Sequence, residues 1–202
     1  MIFMIKEKQE RPQLSDIPPI DALKEELMRE TVRREFRRTL LNITGGLIVI
    51  AAVTALMVTR IFVLIQINGE SMSPTMEDKE IVFIRQTEKI EKGDIVGFYY
   101  GGKILLKRVI AGAGDDIEID GDGNVSVNGE AIDEPYLKEK TLGKCEMDFP
   151  MQIPEGAVFV LGDNRGISMD SRIRSIGCVE DEQIVGKVVF RMWPLARVGI
   201  MH

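Results

Sequence analysis

The sequence predicts a mainly β protein, an antiparallel β-sheet domain preceded by one transmembrane α-helix. Three observations carry that expectation. Twenty-one uncharged residues, Thr39 to Thr59, lie between Arg38 and Arg60. From residue 81 onward, short apolar runs alternate with glycine-rich turn signals. The composition, 45% hydrophobic and 29% charged over 202 residues, is that of a folded chain.

As a helix, the uncharged stretch reaches about 31 Å, the thickness of a bilayer's hydrocarbon core. A buried core helix and a cleaved secretory signal are the alternatives. The uncharged length argues against the first, and the 38 residues that precede it argue against the second. Six Lys/Arg fall in residues 19 to 38, against only Arg60 and Lys79 in residues 60 to 79. Positive residues stay in the cytoplasm, so the N-terminus is expected inside and the rest outside. The expected division is residues 1–38 as a cytoplasmic segment, 39–59 as a single-pass span of the plasma membrane, and 60–202 as an extracytoplasmic β-rich domain. Asp21 to Arg38 also has helical spacing, with Leu23, Leu27, Met28 and Val32 on one side, and reads as an extension of the span.

Beyond the span, strands are expected at 81–85, 94–100, 103–111, 116–119, 124–127, 157–162 and 184–193. Gly101-Gly102, Asp120-Gly121-Asp122-Gly123 and Asn128-Gly129 supply turns between them. Asp133 to Pro154 reads as an insertion or extended loop. Cys145 and Cys178 are too few for a disulfide framework and lack zinc-site spacing; two unpaired residues are expected, with a disulfide as the alternative in an extracytoplasmic domain. Residues 61 to 202 hold sixteen Lys/Arg against twenty-four Asp/Glu, which argues against nucleic-acid binding. No metal or cofactor is expected, because the scattered carboxylates and the lone His202 offer no ligand cluster.

The chemistry begins at Asn68-Gly69-Glu70-Ser71-Met72-Ser73-Pro74-Thr75-Met76, about nine residues past the span. A serine in such a loop suggests a nucleophile, yet its hydroxyl is inert without a base. The only histidine is the last residue of the chain, so a lysine with a depressed pKa is the main alternative. Lys107 stands within Ile104-Leu105-Leu106-Lys107-Arg108-Val109-Ile110. On a strand it shares a face with Leu105 and Val109, where desolvation lowers its pKa; a useful base requires a drop of about two to three units, roughly 3 to 4 kcal/mol, which a buried site can supply. The opposing reading is an ordinary edge-strand lysine pointing to solvent.

A further segment, Gly162-Asp163-Asn164-Arg165-Gly166-Ile167-Ser168-Met169-Asp170-Ser171-Arg172, decides between them. In order with Gly69-x-Ser71-Met72-x-Pro74-Thr75, Gly93-Asp94-Ile95-Val96 and Lys107-Arg108-Val109, it closely resembles the type I signal peptidases, in their Gram-positive-like single-span form. The resemblance runs from the span to about Val189. It implies a membrane-bound Ser-Lys serine endopeptidase that cleaves signal peptides from exported preproteins after small residues, at Ala-x-Ala sites. It further implies Ser71 as nucleophile, Lys107 as general base, and Ser168 as the hydroxyl that orients the lysine. Arg108, Asp163, Asp170 and Arg172 match positions whose ion pairs support the site. Gly69 departs from members that carry a hydroxyl residue there, leaving more of the oxyanion stabilisation to the Ser71 N–H. Ile67, Met72 and Leu106 are expected as pocket walls from adjacency to the dyad. Preproteins and the lipid bilayer are the expected partners, and the protein is expected to be a monomer.

Three other readings compete. Ser-Lys self-cleaving repressors share the dyad but are soluble and carry DNA-binding domains. Non-catalytic signal-peptidase-like assembly proteins should have lost the serine or the lysine. A membrane-tethered binding module would need neither.

Overall fold

The computed structural model of the chain describes residues 19–201. They divide into two units, one ending at Leu56 and the other beginning at Met57.

The first unit is helical. Helix α1 runs from Ile20 to Ile61 without a break, so the expected span and its extension are one 42-residue helix. It starts directly after Pro18-Pro19, where Asp21 puts a carboxylate in the first turn. Past Arg38 its sequence is mostly Ala, Leu, Ile, Val and Thr, and no proline interrupts the helix. An 18-residue window between Ile20 and Leu56 has a mean hydropathy of 2.0, none of it buried by protein, so the helix is long and apolar enough to cross a membrane.

The second unit is an all-antiparallel β domain of two sheets. The larger contains β1 (Phe62–Gln66), β2 (Ile81–Arg85), β3 (Ile95–Tyr100), β4 (Lys103–Ala111), β9 (Ala157–Leu161), β10 (Val179–Glu180), β11 (Ile184–Trp193) and β12 (Gly199–Ile200). Its order is β1-β2-β11-β3-β4-β9-β10, with β12 paired to β11. The smaller is β7-β6-β5-β8, from β5 (Asp116–Ile119), β6 (Val125–Val127), β7 (Glu130–Ala131) and β8 (Met151–Gln152). All seven expected strands are present, within one residue at their ends. Positive φ at both residues of Gly101-Gly102 and of Asn128-Gly129 makes the tight turns of the β3–β4 and β6–β7 hairpins.

Three apolar clusters fill the domain. One joins Ile110, Phe159 and Leu161 to the small sheet. A second gathers Ile67, Met72, Met76, Val82, Ile84 and Leu106, and a third gathers Val96, Phe98, Val109, Val158 and Val160. Strand β9 is buried along its whole length because it lies between clusters one and three. The segment 133–154 is largely irregular, as expected, but it is not an appendage. Leu142 and Phe149 pack on cluster one, Glu134 is buried, and Met151 pairs with Ile117. Both cysteines are free.

Phe159 is fully buried, with its ring 6.0 Å from Phe149 at 75°. Phe159→Ala is expected to lower unfolding free energy by about 3 to 5 kcal/mol. Urea denaturation of the detergent-solubilised protein measures this, and a loss under about 1 kcal/mol would show that the cluster is not a packed core.

Candidate active site

Ser71 occupies a turn in the loop 67–80 between β1 and β2. Backbone hydrogen bonds close the base of that loop, from Ile67 N to Glu80 O at 2.8 Å and from Lys79 N to Ile67 O at 2.9 Å. The Gly69 N–H donates to Asp78 Oδ1 at 2.8 Å, which holds the Asp78 carboxyl below its ordinary value.

Lys107 reaches the loop from the middle of β4. Its cross-strand partner is Val96, and Leu105 and Val109, two residues away on either side, belong to cluster three with Val96 and Phe98. This lysine is 3% exposed, so the solvent-facing edge lysine is ruled out. Its Nζ lies 2.8 Å from Ser71 Oγ and 2.8 Å from the Leu106 carbonyl oxygen. Burial depresses the pKa to about 8, against the opposing pull of the Asp170 and Asp163 carboxylates, which favour the ammonium; the Arg172 guanidinium lowers it further.

Two buried ion pairs flank the lysine. Arg108 grips Asp163 with Nε at 2.9 Å and Nη2 at 2.7 Å, donates from Nη1 to the Gly93 carbonyl at 2.9 Å, and lies 4.0 Å from the Tyr136 ring centre. Arg172 grips Asp170 with Nε and Nη2, both at 2.8 Å, and donates to the carbonyls of Arg165 and Leu142. Such forks fix geometry as well as charge. Asp170 also accepts from the Gly162 N–H at 3.0 Å. Gly162 is required by close approach: a Cβ there would fall on the Ser168 hydroxyl and within 2.6 Å of the Ser71 carbonyl oxygen. Ser168 is buried at this crossing, but its hydroxyl has no hydrogen-bond partner among the described residues, including Lys107. The structure therefore brings together Ser71, Lys107, Ser168, Arg108, Asp163, Asp170 and Arg172. Ile67, Met72 and Leu106 pack against one another in cluster two and are nearly buried, with little surface left to line a pocket.

Four further residues complete the arrangement. Asn164 donates from its N–H to Ser71 O at 3.0 Å and from Nδ2 to Glu70 O at 3.2 Å, holding the nucleophile's own backbone. Arg165 donates from Nε to Gly162 O at 3.1 Å and makes a buried ion pair with Glu134, which accepts from the Tyr136 hydroxyl at 2.9 Å. Burial first, and then Glu134, push the Tyr136 phenol up. Asn164 and Arg165 lie within the Gly162–Arg172 motif, but the sequence reading assigns neither a role. Glu134 and Tyr136 lie in the irregular segment, where no pattern marks them. Among the described residues, no three His, Cys, Asp or Glu side chains converge as a metal site.

A serine hydroxyl against a buried amine of lowered pKa is the arrangement of a serine hydrolase, and comparison with known proteins agrees. The family described as "Signal peptidase, peptidase S26" matches residues 40–193. Signal peptidase IB of Staphylococcus aureus is 39% identical over 150 residues, 64% of this chain and 77% of its own. Signal peptidase I S of Bacillus subtilis (strain 168) is 37% identical over 160 residues, 73% of this chain and 86% of its own. A solved signal peptidase I from Enterococcus faecalis V583 is 30% identical, with 49% of this chain and 96% of that one covered at a TM-score of 0.43. The chain belongs to the peptidase S26 family of signal peptidases and is an enzyme of the type I class, a serine endopeptidase.

The Lys107 shift has a consequence for stability. Below about 8 the lysine is charged in both folded and unfolded chains, and the burial cost is present in full. Between about 8 and its ordinary 10.5 it is neutral when folded and charged when unfolded, so stability rises with pH. Relative to Lys107→Met, the wild type is expected to gain roughly 3 kcal/mol between pH 7.5 and 10.5. Urea unfolding at each pH reads the difference, and parallel curves for the two proteins would contradict the shift.

Proposed function

We propose that this enzyme removes N-terminal signal peptides from exported preproteins by a Ser71–Lys107 dyad, cutting after small residues at Ala-x-Ala sites. The observation that carries the reading is the 2.8 Å separation of Ser71 Oγ from the buried Lys107 Nζ. In its neutral form the amine accepts the Ser71 proton as Oγ attacks the scissile carbonyl. The ammonium so formed then protonates the leaving amine, and the neutral amine activates the water that releases the acyl group. The Ser71 N–H, with no acceptor among the described residues, is free to meet the oxyanion. Arg108 with Asp163, and Arg172 with Asp170, hold the lysine's surroundings fixed. Ser168, the orienting hydroxyl that the family resemblance implies, is buried beside this loop with its hydroxyl unpaired among the described residues.

The substrate reading rests on the sheet edge. Strand β9 pairs with β4 only from Arg108 to Ala111, so, among the described residues, Lys103 to Leu106 have β3 on one side and no strand on the other. An extended peptide can add there and present alternate side chains to the domain. In this reading α1 spans the plasma membrane at 39–59, residues 1–38 are cytoplasmic, and 60–202 form the extracytoplasmic peptidase domain. The asymmetry of Lys and Arg about the span supports that orientation.

Detergent-solubilised protein is expected to cut an Ala-x-Ala precursor directly after the second alanine, as mass spectrometry would locate. Ser71→Ala and Lys107→Ala should each abolish the cut. Because the neutral amine is the acting form, kcat/KM should rise with pH and level off above about 8. Activity retained in either variant, or rising as the pH falls below 7, would contradict the dyad.

A further inference from the structure

The loop carrying Ser71 is fastened at two places. Asn164 holds the carbonyls of Glu70 and Ser71. Farther along, two arginines from the C-terminal segment take hold, and neither has a role in the reading above. Arg191, on β11, donates to the Thr75 carbonyl and approaches Glu80 with Nε at 2.9 Å. Arg197, in the 3-10 turn Leu195–Arg197, reaches the Pro74 carbonyl from Nη2 at 3.4 Å. Its Nη1 stands 3.0 Å from both Glu77 and Glu80. The contacts to Glu80 are ion pairs in distance rather than aligned hydrogen bonds.

Glu80 is 3% exposed, and its own backbone closes the loop onto Ile67. A carboxylate buried so deeply is costly to the fold unless cations pair with it. The two arginines meet that need and, with the same side chains, hold the carbonyls three and four residues after the nucleophile. Arg197 also lies beyond the residues matched to the family, 40–193.

We propose that Arg197, together with Arg191 and Glu80, positions the nucleophile: the C-terminal segment locks the loop so that Ser71 Oγ stays within reach of Lys107. This rests on the Ser71–Lys107 reading above. Releasing Pro74 and Thr75 lets the Ser71 turn shift, while the β4 edge keeps its form. The loss therefore falls on kcat and not on KM.

The test compares wild type, Arg197→Ala, Arg197→Lys and Ser71→Ala, as full-length protein in detergent, on an Ala-x-Ala peptide, with thermal unfolding alongside. Arg197 is 36% exposed, which makes it the member of the group easiest to replace. Arg197→Ala is expected to lose roughly 10- to 100-fold in kcat, with KM within about twofold. The pH midpoint set by Lys107 should not move, and Arg197→Lys should recover part of the rate. A folded Arg197→Ala with wild-type kcat would overturn the proposal. So would a shifted midpoint, a loss accounted for by unfolded protein, or a lysine variant no better than alanine. Should Arg197→Ala not fold, Arg197→Lys decides: a lowered kcat at unchanged KM supports the proposal, and wild-type kcat overturns it. Activity in Ser71→Ala would instead remove the dyad reading on which the proposal stands.

Discussion

The burial of one amine is the constraint on which the rest of the site depends. To act as the proposed base, Lys107 must lose its proton near neutral pH, and removal from water is the main force toward that, because the Asp170 and Asp163 carboxylates pull the other way and the Arg172 guanidinium adds only a smaller push. The aliphatic flank of Val96, Phe98, Leu105 and Val109 supplies the desolvation. Each opposing carboxylate is gripped in turn by an arginine, Asp163 by Arg108 and Asp170 by Arg172. The Arg172–Asp170 pair is thus more than a brace: the Arg172 guanidinium offsets part of the pull that the carboxylates exert toward the ammonium form.

Position is the second half of the problem, because a base of the right pKa is useless out of reach of the hydroxyl. Segments distant in sequence meet at the crossing of Gly162 with the Ser71 loop, where no side chain larger than hydrogen fits. Asn164 holds the Ser71 carbonyl, Arg165 and Glu134 hold Gly162, and Arg172 reaches the Leu142 carbonyl. The irregular segment 133–154 is therefore built into the site by charge and backbone contacts and needs no regular structure of its own.

Much of this was legible in the sequence, and the physics explains which parts. Strands of four or more residues with alternating or fully apolar character, from Ile81–Arg85 to Ile184–Trp193, were found because their period and their bounding turns are local signals. Strand β1 was missed because Phe62 to Ile65 continue the apolar composition of α1 past Arg60. The two-residue strands β7, β8, β10 and β12 are too short to show any period. In the site, Ser71, Lys107 and the Gly162–Arg172 residues were marked by ordered motifs. Glu134, Tyr136, Glu80, Arg191 and Arg197 were not, since their partners lie far away along the chain and only the folded sheet brings them together. The expected orienting bond from Ser168 is not formed, although the residue is buried at the expected place.

The central claim is that Lys107 is an amine poised to take a proton from Ser71. Its own titration tests this most directly, by NMR of isotope-labelled lysine side chains in the detergent-solubilised protein, with the Lys107 signal assigned by its absence in Lys107→Arg. A midpoint near 8 is expected. A midpoint at about 10 or above would mean that the buried lysine keeps its proton through the working pH range and cannot serve as the base.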